Sequence, residues 1–216
     1  NDTTPNYTFS STEAGTITYG GSCSSSTTSA IAGSITVIFN TLSDGIYDDC
    51  TFRVTDSAGN VSNTLTLTTF IVDLTAPAIT GTTVASNNAS IAVTFSEAVY
   101  NTSGGSGALE ASDFTLTISG GTATLSSATP SSISSSSNTY TLGLSLSGTP
   151  NGSETITVVP SSSTAIYDAV GNAASTSQSN NTVTLNDQTA PTLSSVSIAS
   201  NNSTTTLAKV ADVVTL

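Results

Sequence analysis

Carboxylates make up most of the reactive side chains in this sequence. Its 216 residues contain 14 Asp and Glu, no His, two Cys and two basic residues, Arg53 and Lys209. Without histidine, the commonest general base and the commonest partner of a nucleophile are missing. Paired carboxylates hydrolyse glycosides, but here the acids lie one or two at a time in linkers and turns, and there is no Trp to line a sugar subsite. The sequence therefore predicts a protein that is not an enzyme.

The charge balance excludes two classes of partner. A net charge of -12 cannot neutralise a phosphate backbone, so we expect no nucleic-acid binding. Anionic membrane surfaces repel such a chain, and no apolar run is long enough to span a bilayer, so we expect no membrane insertion. The few basic residues and the Ser/Thr-rich composition favour a secreted protein. Because the chain has no Met, we expect a processed or excised part of a longer protein.

Acidic and amide side chains recur in two patterns. Asp-x-x-Gly-Asn occurs at residues 56–60 and 168–172, and Asp-x-Thr-Ala-Pro occurs at residues 73–77 and 187–191, with a shorter echo in Asp2-Thr3-Thr4-Pro5. Oxygen atoms from carboxylates and amides are what Ca²⁺ prefers, six to eight at a time. Asp and Asn also build turns without any metal, because their side chains bond the nearby backbone. Both interpretations stay open for these motifs.

The Pro-terminated motifs divide the chain. Proline cannot donate to a strand ladder and forces an extended predecessor, so these pentapeptides predict linkers between strand-rich blocks. Their spacing matches one sandwich-sized domain of roughly 100 residues. We therefore predict domains at residues 1–73 and 74–187, and the first two strands of a third, incomplete domain at residues 188–216.

The fold class follows from short runs of alternating apolar and polar residues, which predict strands. The prediction is an all-β protein of tandem Ig-like two-sheet β-sandwiches, with seven strands in the second domain and one helical turn within residues 107–113. The predicted strands are residues 7–10, 15–19, 34–39, 50–55 and 64–72 in the first domain, and 78–85, 90–99, 114–119, 123–126, 140–147, 154–159 and 182–185 in the second.

The two cysteines, Cys23 and Cys50, both fall in the first domain. An even pair in a chain with a secreted composition predicts a disulfide rather than two free thiols. Closing a loop of that length stabilises a fold by about 3 kcal/mol in the chain-entropy model. A domain of this size buries only a modest core, so we expect the bond to matter for its stability.

The motifs also resemble a family. The linkers, the strand end Thr94-Phe95-Ser96-Glu97-Ala98-Val99, the Ser112-Asp113-Phe114 segment and the Asp-x-x-Gly-Asn turns are similar to bacterial Ig-like (Big) repeats of large surface adhesins, S-layer proteins and extracellular fibres. The resemblance covers essentially the whole chain. It implies sandwich domains that act as stalks at the bacterial cell surface, with Ca²⁺ at some domain junctions, and it implies no particular ligand.

Strand direction in such a sandwich predicts where the acids meet. The end of the second strand and the turn before the last strand share the pole that faces the preceding linker. We therefore predict a Ca²⁺ junction between the first two domains, held by Asp73, Glu97 and Asp168 with Asn172 assisting. By the same argument Asp56 and Asn60 would lie beside Asp2, and Asp187 would belong to a junction completed by the third domain.

The expected function is structural or adhesive, in an elongated stalk, surface layer or filament whose partners are neighbouring repeats. The alternative is a recognition module that binds a glycan or protein through loops at one pole. Such sites cluster exposed aromatic residues, whereas the loop aromatics here, Tyr47, Tyr100 and Tyr167, are scattered over two domains.

Residues 207–216 form an apolar β-segment whose own domain is incomplete. Two strands in isolation are marginal in water, so we expect something to complete their sheet. One possibility is the remainder of a longer polypeptide, and the other is a neighbouring subunit, as in donor-strand fibres. The first domain is expected to close by itself without an empty groove, which favours the longer polypeptide.

Overall fold

A computed structural model describes residues 2–195. It confirms the all-β prediction, because apart from one 3-10 turn at Ala111–Asp113 the regular elements are all strands. Within the described residues, no helix is long and apolar enough to cross a membrane. The strands are β1 (Asn6–Ser11), β2 (Gly15–Gly20), β3 (Ser29–Ala30), β4 (Gly33–Ile38), β5 (Gly45–Tyr47), β6 (Thr51–Thr55), β7 (Leu65–Thr66), β8 (Phe70–Val72), β9 (Ile79–Val84), β10 (Ser90–Phe95), β11 (Phe114–Ser119), β12 (Thr124–Leu125), β13 (Ile133–Ser136), β14 (Thr139–Gly143), β15 (Leu146–Ser147), β16 (Thr155–Pro160) and β17 (Thr182–Thr184).

The buried apolar residues form two separate clusters. The first extends from Phe9 to Val72 and is centred on Phe52, whose ring contacts four other aromatic rings. The second extends from Ile79 to Leu185. We call the parts of the chain built on these clusters the first and the second module. The domain boundaries at residues 73 and 187 stay predictions, with which the two clusters agree.

The first module contains a four-stranded sheet in the order β3-β2-β6-β7 and two strand pairs, β1-β4 and β5-β8. The single strand predicted at residues 64–72 is in fact two strands. β7 pairs with β6, and β8 pairs with β5. The change of partner occurs where Leu67, which is buried, donates its N–H to the Cys50 carbonyl. The predicted Cys23–Cys50 disulfide is confirmed.

The second module has nine strands where seven were predicted, in sheets ordered β13-β14-β10-β9, β11-β16-β17 and β12-β15. The alternation that identified its strands is real, because every second side chain of β10 and of β16 is buried. The strand predicted at residues 90–99 ends earlier, at Phe95, after a register shift between Thr94 and Phe95. Glu97 therefore lies in the loop that follows β10, free of the sheet ladder.

The two modules differ in the direction of their last strands. In the second module Ile79 bonds Gln178, Thr82 bonds Thr182 and Asn186 bonds Ala85, so β9 and the last strand run parallel. The chain thus enters this module at one pole and leaves it at the other.

In the first module β1 and the last strands run antiparallel. Residues 5–7 share one cavity with residues 67–71, and residues 9–12 share a second cavity with residues 62–65. Asp2 and Asp73 consequently lie at the same pole, near Asp44, whose carboxylate accepts from Thr75.

Residues 188–195 carry no regular secondary structure. The strand predicted at residues 192–199 lies half outside the described residues, and the strand predicted at residues 207–216 lies wholly outside them. The third domain therefore stays a prediction.

Candidate functional site

The turn at residues 168–172 forms around one carboxylate. Asp168 Oδ1 accepts hydrogen bonds from the backbone N–H groups of Val170, Gly171 and Asn172 at 2.7–2.9 Å. The positive φ of Gly171, 98°, suits a residue without a side chain and lets the chain turn back on itself. Asp168 is fully buried, so the turn holds one carboxylate in a fixed position at the pole of the second module.

Asn172 ties this turn to the linker. Its side-chain amide donates to Asp168 Oδ2 at 2.7 Å and to the backbone carbonyl of Asp73 at 3.0 Å. The linker begins with an Asx turn in which Asp73 Oδ1 accepts from the N–H of Thr75 at 3.0 Å. Together these bonds hold the linker carboxylate against the second module.

Glu97 completes the group. One carboxylate oxygen from each of Asp73, Glu97 and Asp168 lies within 4.8 Å of the others, and within residues 2–195 this is the one such group of three or more acidic, Cys or His side chains. Burial raises the pKa of Glu97, and repulsion from the Asp168 and Asp73 carboxylates raises it further. The arrangement concentrates negative charge that no lysine or arginine of the module offsets, since residues 74–187 contain neither.

The donor set fits Ca²⁺. Two oxygen ligands at about 2.3–2.6 Å from one Ca²⁺ are at most about 5 Å apart, which the 4.8 Å limit satisfies. Three carboxylates from a linker, a loop and a turn are hard oxygen ligands, and water or carbonyl oxygens would have to complete a six- to eight-fold shell. Asn172 acts as a donor in the bonds described above, so its role here is to position Asp73 and Asp168.

The second predicted grouping is wrong. Asp56 and Asn60 line a cavity together with residues 11–14, at the end of β1, whereas Asp2 precedes the start of β1 and lines a cavity with Val170. Six residues of strand, about 20 Å, separate the two places. The error came from assuming that the last strand of the first module runs as it does in the second.

Asp187 stands at the pole of the second module opposite the acidic group. Its Oδ1 accepts from the N–H of Thr189 at 2.7 Å, which is the Asx turn of the second linker. The junction predicted there would need residues beyond 195, so this assignment stays a prediction.

Sequence reasoning missed Glu154, a fully buried carboxylate. It accepts hydrogen bonds from the backbone N–H groups of Thr122, Ala123 and Asn151 at 2.8–3.2 Å. These bonds lower the pKa of Glu154 to about 2. The side chain joins the loop of Thr122 and Ala123 to the loop of Asn151, at the same pole as Asp187. Both loops are rich in glycine, and this was the sequence feature that could have indicated a buried acceptor there.

Two of the three tyrosines that the sequence placed in scattered loops, Tyr100 and Tyr167, lie next to each other. Tyr100 and Tyr167 form an isolated β-bridge, with reciprocal N–H to carbonyl bonds of 2.7 and 2.8 Å, immediately before Asp168. Tyr47 lies in the first module, stacked on Phe70 with ring centroids 5.2 Å apart.

Comparison with known proteins found no matching family model, no matching curated protein and no matching solved structure. The resemblance to bacterial Ig-like repeats therefore stays a prediction based on the motifs.

Proposed function

We propose that this chain is a structural, adhesive module of an extracellular array at the bacterial cell surface, and that Ca²⁺ stiffens the junction between its two modules. The observation that carries the proposal is the convergence of Asp73, Glu97 and Asp168. A linker carboxylate has little reason to lie among two like charges unless a cation offsets them. The Cys23–Cys50 disulfide supports an oxidising, extracellular compartment.

Strand direction supports a place in an array. The second module passes the chain from one pole to the other, as a link in a stalk, filament or surface layer must. The first module has both ends at one pole, so it extends away from the path of the chain, where it can contact neighbouring repeats. The proposed array is therefore a line of links with side-projecting modules.

Calcium binding tests the proposal directly. We expect Ca²⁺ titrated into metal-free protein to bind with one-to-one stoichiometry in calorimetry and to raise the melting temperature of the second module. Glu97→Gln should weaken that binding at least tenfold, whereas Glu110→Gln, a matched change at an exposed carboxylate of the same module, should not. Equal binding by both variants, or no heat with the wild type, would contradict the proposal. Mg²⁺ in a parallel titration should bind more weakly, because it demands a stricter octahedral shell.

The alternative function, recognition of a glycan or protein partner, gains one observation. The bridge between Tyr100 and Tyr167 places two half-buried tyrosines at the pole that also carries Asp168. If this pole is a recognition site, Tyr100→Ala should abolish binding on a glycan array while leaving the Ca²⁺ titration unchanged. Tyr47→Ala, in the other module, is the matched control.

A further inference from the structure

Asn151 and Gly152 form the one Asn-Gly pair in the sequence. An asparagine side chain is open to attack by the main-chain nitrogen of the next residue, and glycine hinders that attack least because it has no side chain. The turn itself requires the glycine. Gly152 has a φ of 80°, and a Cβ at this position would lie 3.3 Å from the Cβ of Asp187. The fold therefore places beside Asn151 the residue type that makes an asparagine most reactive.

The side chain of Asn151 is held as an electrophile. Its Oδ1 accepts a hydrogen bond from the N–H of Ser153 at 3.0 Å, which is an Asx turn. A donor at this oxygen stabilises the negative charge that develops there when a nucleophile adds to Cγ. Within residues 2–195 the Nδ2 atom donates to no acceptor. No bond within that part of the chain therefore retains the amide nitrogen as a leaving group.

A second asparagine makes the same turn but lacks the free nucleophile. Asn87 Oδ1 accepts at 3.1 Å from the N–H two residues further on, as Asn151 Oδ1 does. The nitrogen that would attack Asn87 belongs to Asn88, and its N–H donates to the carbonyl of Ala85 at 2.8 Å. The N–H of Gly152 donates to no residue in the described part of the chain. Because the attacking nitrogen must give up its proton, Asn87 is protected and Asn151 is not.

The loop that contains Asn151 also holds the second linker. The carbonyl of Pro150 accepts from the N–H of Gln188 at 2.9 Å and from the hydroxyl of Thr189 at 3.1 Å. One residue further on, the N–H of Asn151 donates to the two carboxylate oxygens of Glu154 at 3.2 and 3.0 Å. Asn151 thus lies between the anchor of the linker and a buried carboxylate. A change in its main chain or its charge acts on both.

We propose that Asn151 deamidates without an enzyme and that this reaction releases the second linker from the second module. The Gly152 nitrogen loses its proton to water, and its lone pair forms a bond to Asn151 Cγ. The tetrahedral oxyanion collapses, the Cγ–Nδ2 bond breaks, and the amide nitrogen takes up a proton and leaves as ammonia. Water then opens the cyclic imide. Cleavage between the ring nitrogen and Cγ gives aspartate, and cleavage between that nitrogen and the main-chain carbonyl carbon gives isoaspartate.

Both products disturb the loop. Isoaspartate carries the main chain through the former side chain, which adds one carbon atom, about 1.5 Å of length, between Pro150 and Gly152. Either product adds a carboxylate to the loop whose N–H groups hold the Glu154 carboxylate, and like charges at close range repel. Pro150 therefore loses its bonds to the linker. The site lies at the pole opposite the acidic group, so the proposal goes beyond the Ca²⁺ junction and does not depend on it.

Ageing of the full chain tests the reaction. After days at 37 °C and pH 8 in EGTA, peptide mapping by mass spectrometry should show aspartate and isoaspartate at position 151 and an unchanged amide at Asn87. A synthetic peptide of residues 148–156 is the unfolded reference, and the folded chain should react at a rate within tenfold of it. Asn151→Gln should stay unmodified at this position, because its longer side chain must close a larger ring. A folded chain that reacts more slowly than this, or equal conversion at Asn87, would overturn the proposal.

Hydrogen exchange tests the release of the linker. The deamidated fraction carries an added negative charge, so ion-exchange chromatography separates it from the rest of the aged protein. In that fraction the Gln188 amide, which bonds Pro150 in the intact protein, should exchange at least fivefold faster than in fresh protein. The Leu67 amide, which bonds Cys50 in the first module, is the internal control and should not change. Unchanged protection of Gln188, or an equal loss at Leu67, would show that deamidation does not release the linker and would overturn the proposal.

Discussion

The turns that begin at Asp56 and Asp168 have the same sequence pattern and almost the same hydrogen bonds. In both, Oδ1 accepts from backbone N–H groups within the turn and Oδ2 accepts from the side chain of the final Asn. Both also close with a bond of 3.0 Å from the Asp N–H to the Asn carbonyl. The motif itself therefore specifies a turn, which is the interpretation of the sequence that needs no metal.

What differs is where each turn lies. The turn at Asp168 contacts a linker, and its carboxylate is buried beside Asp73 and Glu97. The turn at Asp56 lies at the pole away from the linkers, and hydrogen bonds from Asn60 lower the pKa of its half-buried carboxylate. A candidate metal site arises only where the direction of the last strand brings the turn back to a linker. Topology, rather than the motif, separates the two.

The disulfide should produce the largest difference in stability between the two modules. The first module has open cavities and one disulfide, and the second has a larger core without one. Reduction, or Cys23→Ala with Cys50→Ala, should cost the first module about 3 to 4 kcal/mol. For a module of this size that lowers the melting temperature by more than about 10 °C. Calorimetry should show the second transition unmoved, and a shift of both transitions together would show that the modules unfold as one unit.

Alanine substitutions at Asp168 and Asp56 should destabilise the two turns to different extents. Asp168→Ala leaves three partly buried N–H groups without their acceptor, which should cost about 3 kcal/mol. Asp56→Ala should cost clearly less, because water reaches its donors. Denaturant unfolding measures both. Asp168→Asn is the control, since it keeps an oxygen acceptor for the turn but removes the charge, and it should lower Ca²⁺ affinity more than stability. Equal losses for D168A and D56A would contradict the assignment of different environments.

Much of the fold was predictable because alternation reports burial locally. The pattern located β2, β10, β11 and β16 within about one residue at their starts, since each has a buried face. The division of residues 64–72 into β7 and β8 was not predictable. It depends on Leu67 bonding Cys50 across the module, and no local pattern records which sheet a strand joins.

The candidate site was predictable only where topology was known. Asp73, Glu97 and Asp168 came together because the second module has the strand directions assumed for it. The same reasoning failed for Asp2, because β1 runs antiparallel to the last strands of the first module. Glu154 was missed because its partners are backbone N–H groups, which every loop has.

Acid should have opposite effects on two carboxylates of the second module, Glu154 and Glu97, because their neighbours differ. The pKa of Glu154 is lowered to about 2 by its backbone donors. Its stabilising contribution is therefore complete above its ordinary pKa of 4.5 and is lost as the pH falls toward 2. We expect the melting temperature of the wild-type second module to fall more steeply between pH 4.5 and pH 2 than that of Glu154→Gln. Glu110→Gln is the exposed control and should follow the wild type. Parallel curves for all three proteins would contradict a stabilising role of the Glu154 charge.

The charge of Glu97 should have a small effect on stability, opposite in sign to that of Glu154. Its pKa is raised by burial and by the Asp168 and Asp73 carboxylates, so its ionisation opposes folding. The stability associated with its protonated form is complete below pH 4.5 and is lost as the pH rises through the raised pKa. In EGTA, Glu97→Gln should therefore match the wild type near pH 4 and become slightly more stable than it as the pH approaches 7. The gain is small because Glu97 is only half buried and solvent screens its neighbours.

Calcium should reverse the order of these two proteins. A bound cation turns the repulsion among Asp73, Glu97 and Asp168 into shared coordination, and it stabilises whichever protein binds it more tightly in proportion to the logarithm of the free ion concentration. At pH 7 with millimolar Ca²⁺, the wild type should therefore melt above Glu97→Gln, whereas in EGTA it melts slightly below. Thermal melts of both proteins in both buffers form a four-point cycle. If Glu97→Gln is the less stable protein in EGTA as well, the Glu97 carboxylate is stabilised by bonds within the fold and needs no cation. The acidic group would then have a purely structural role, like the turn at Asp56.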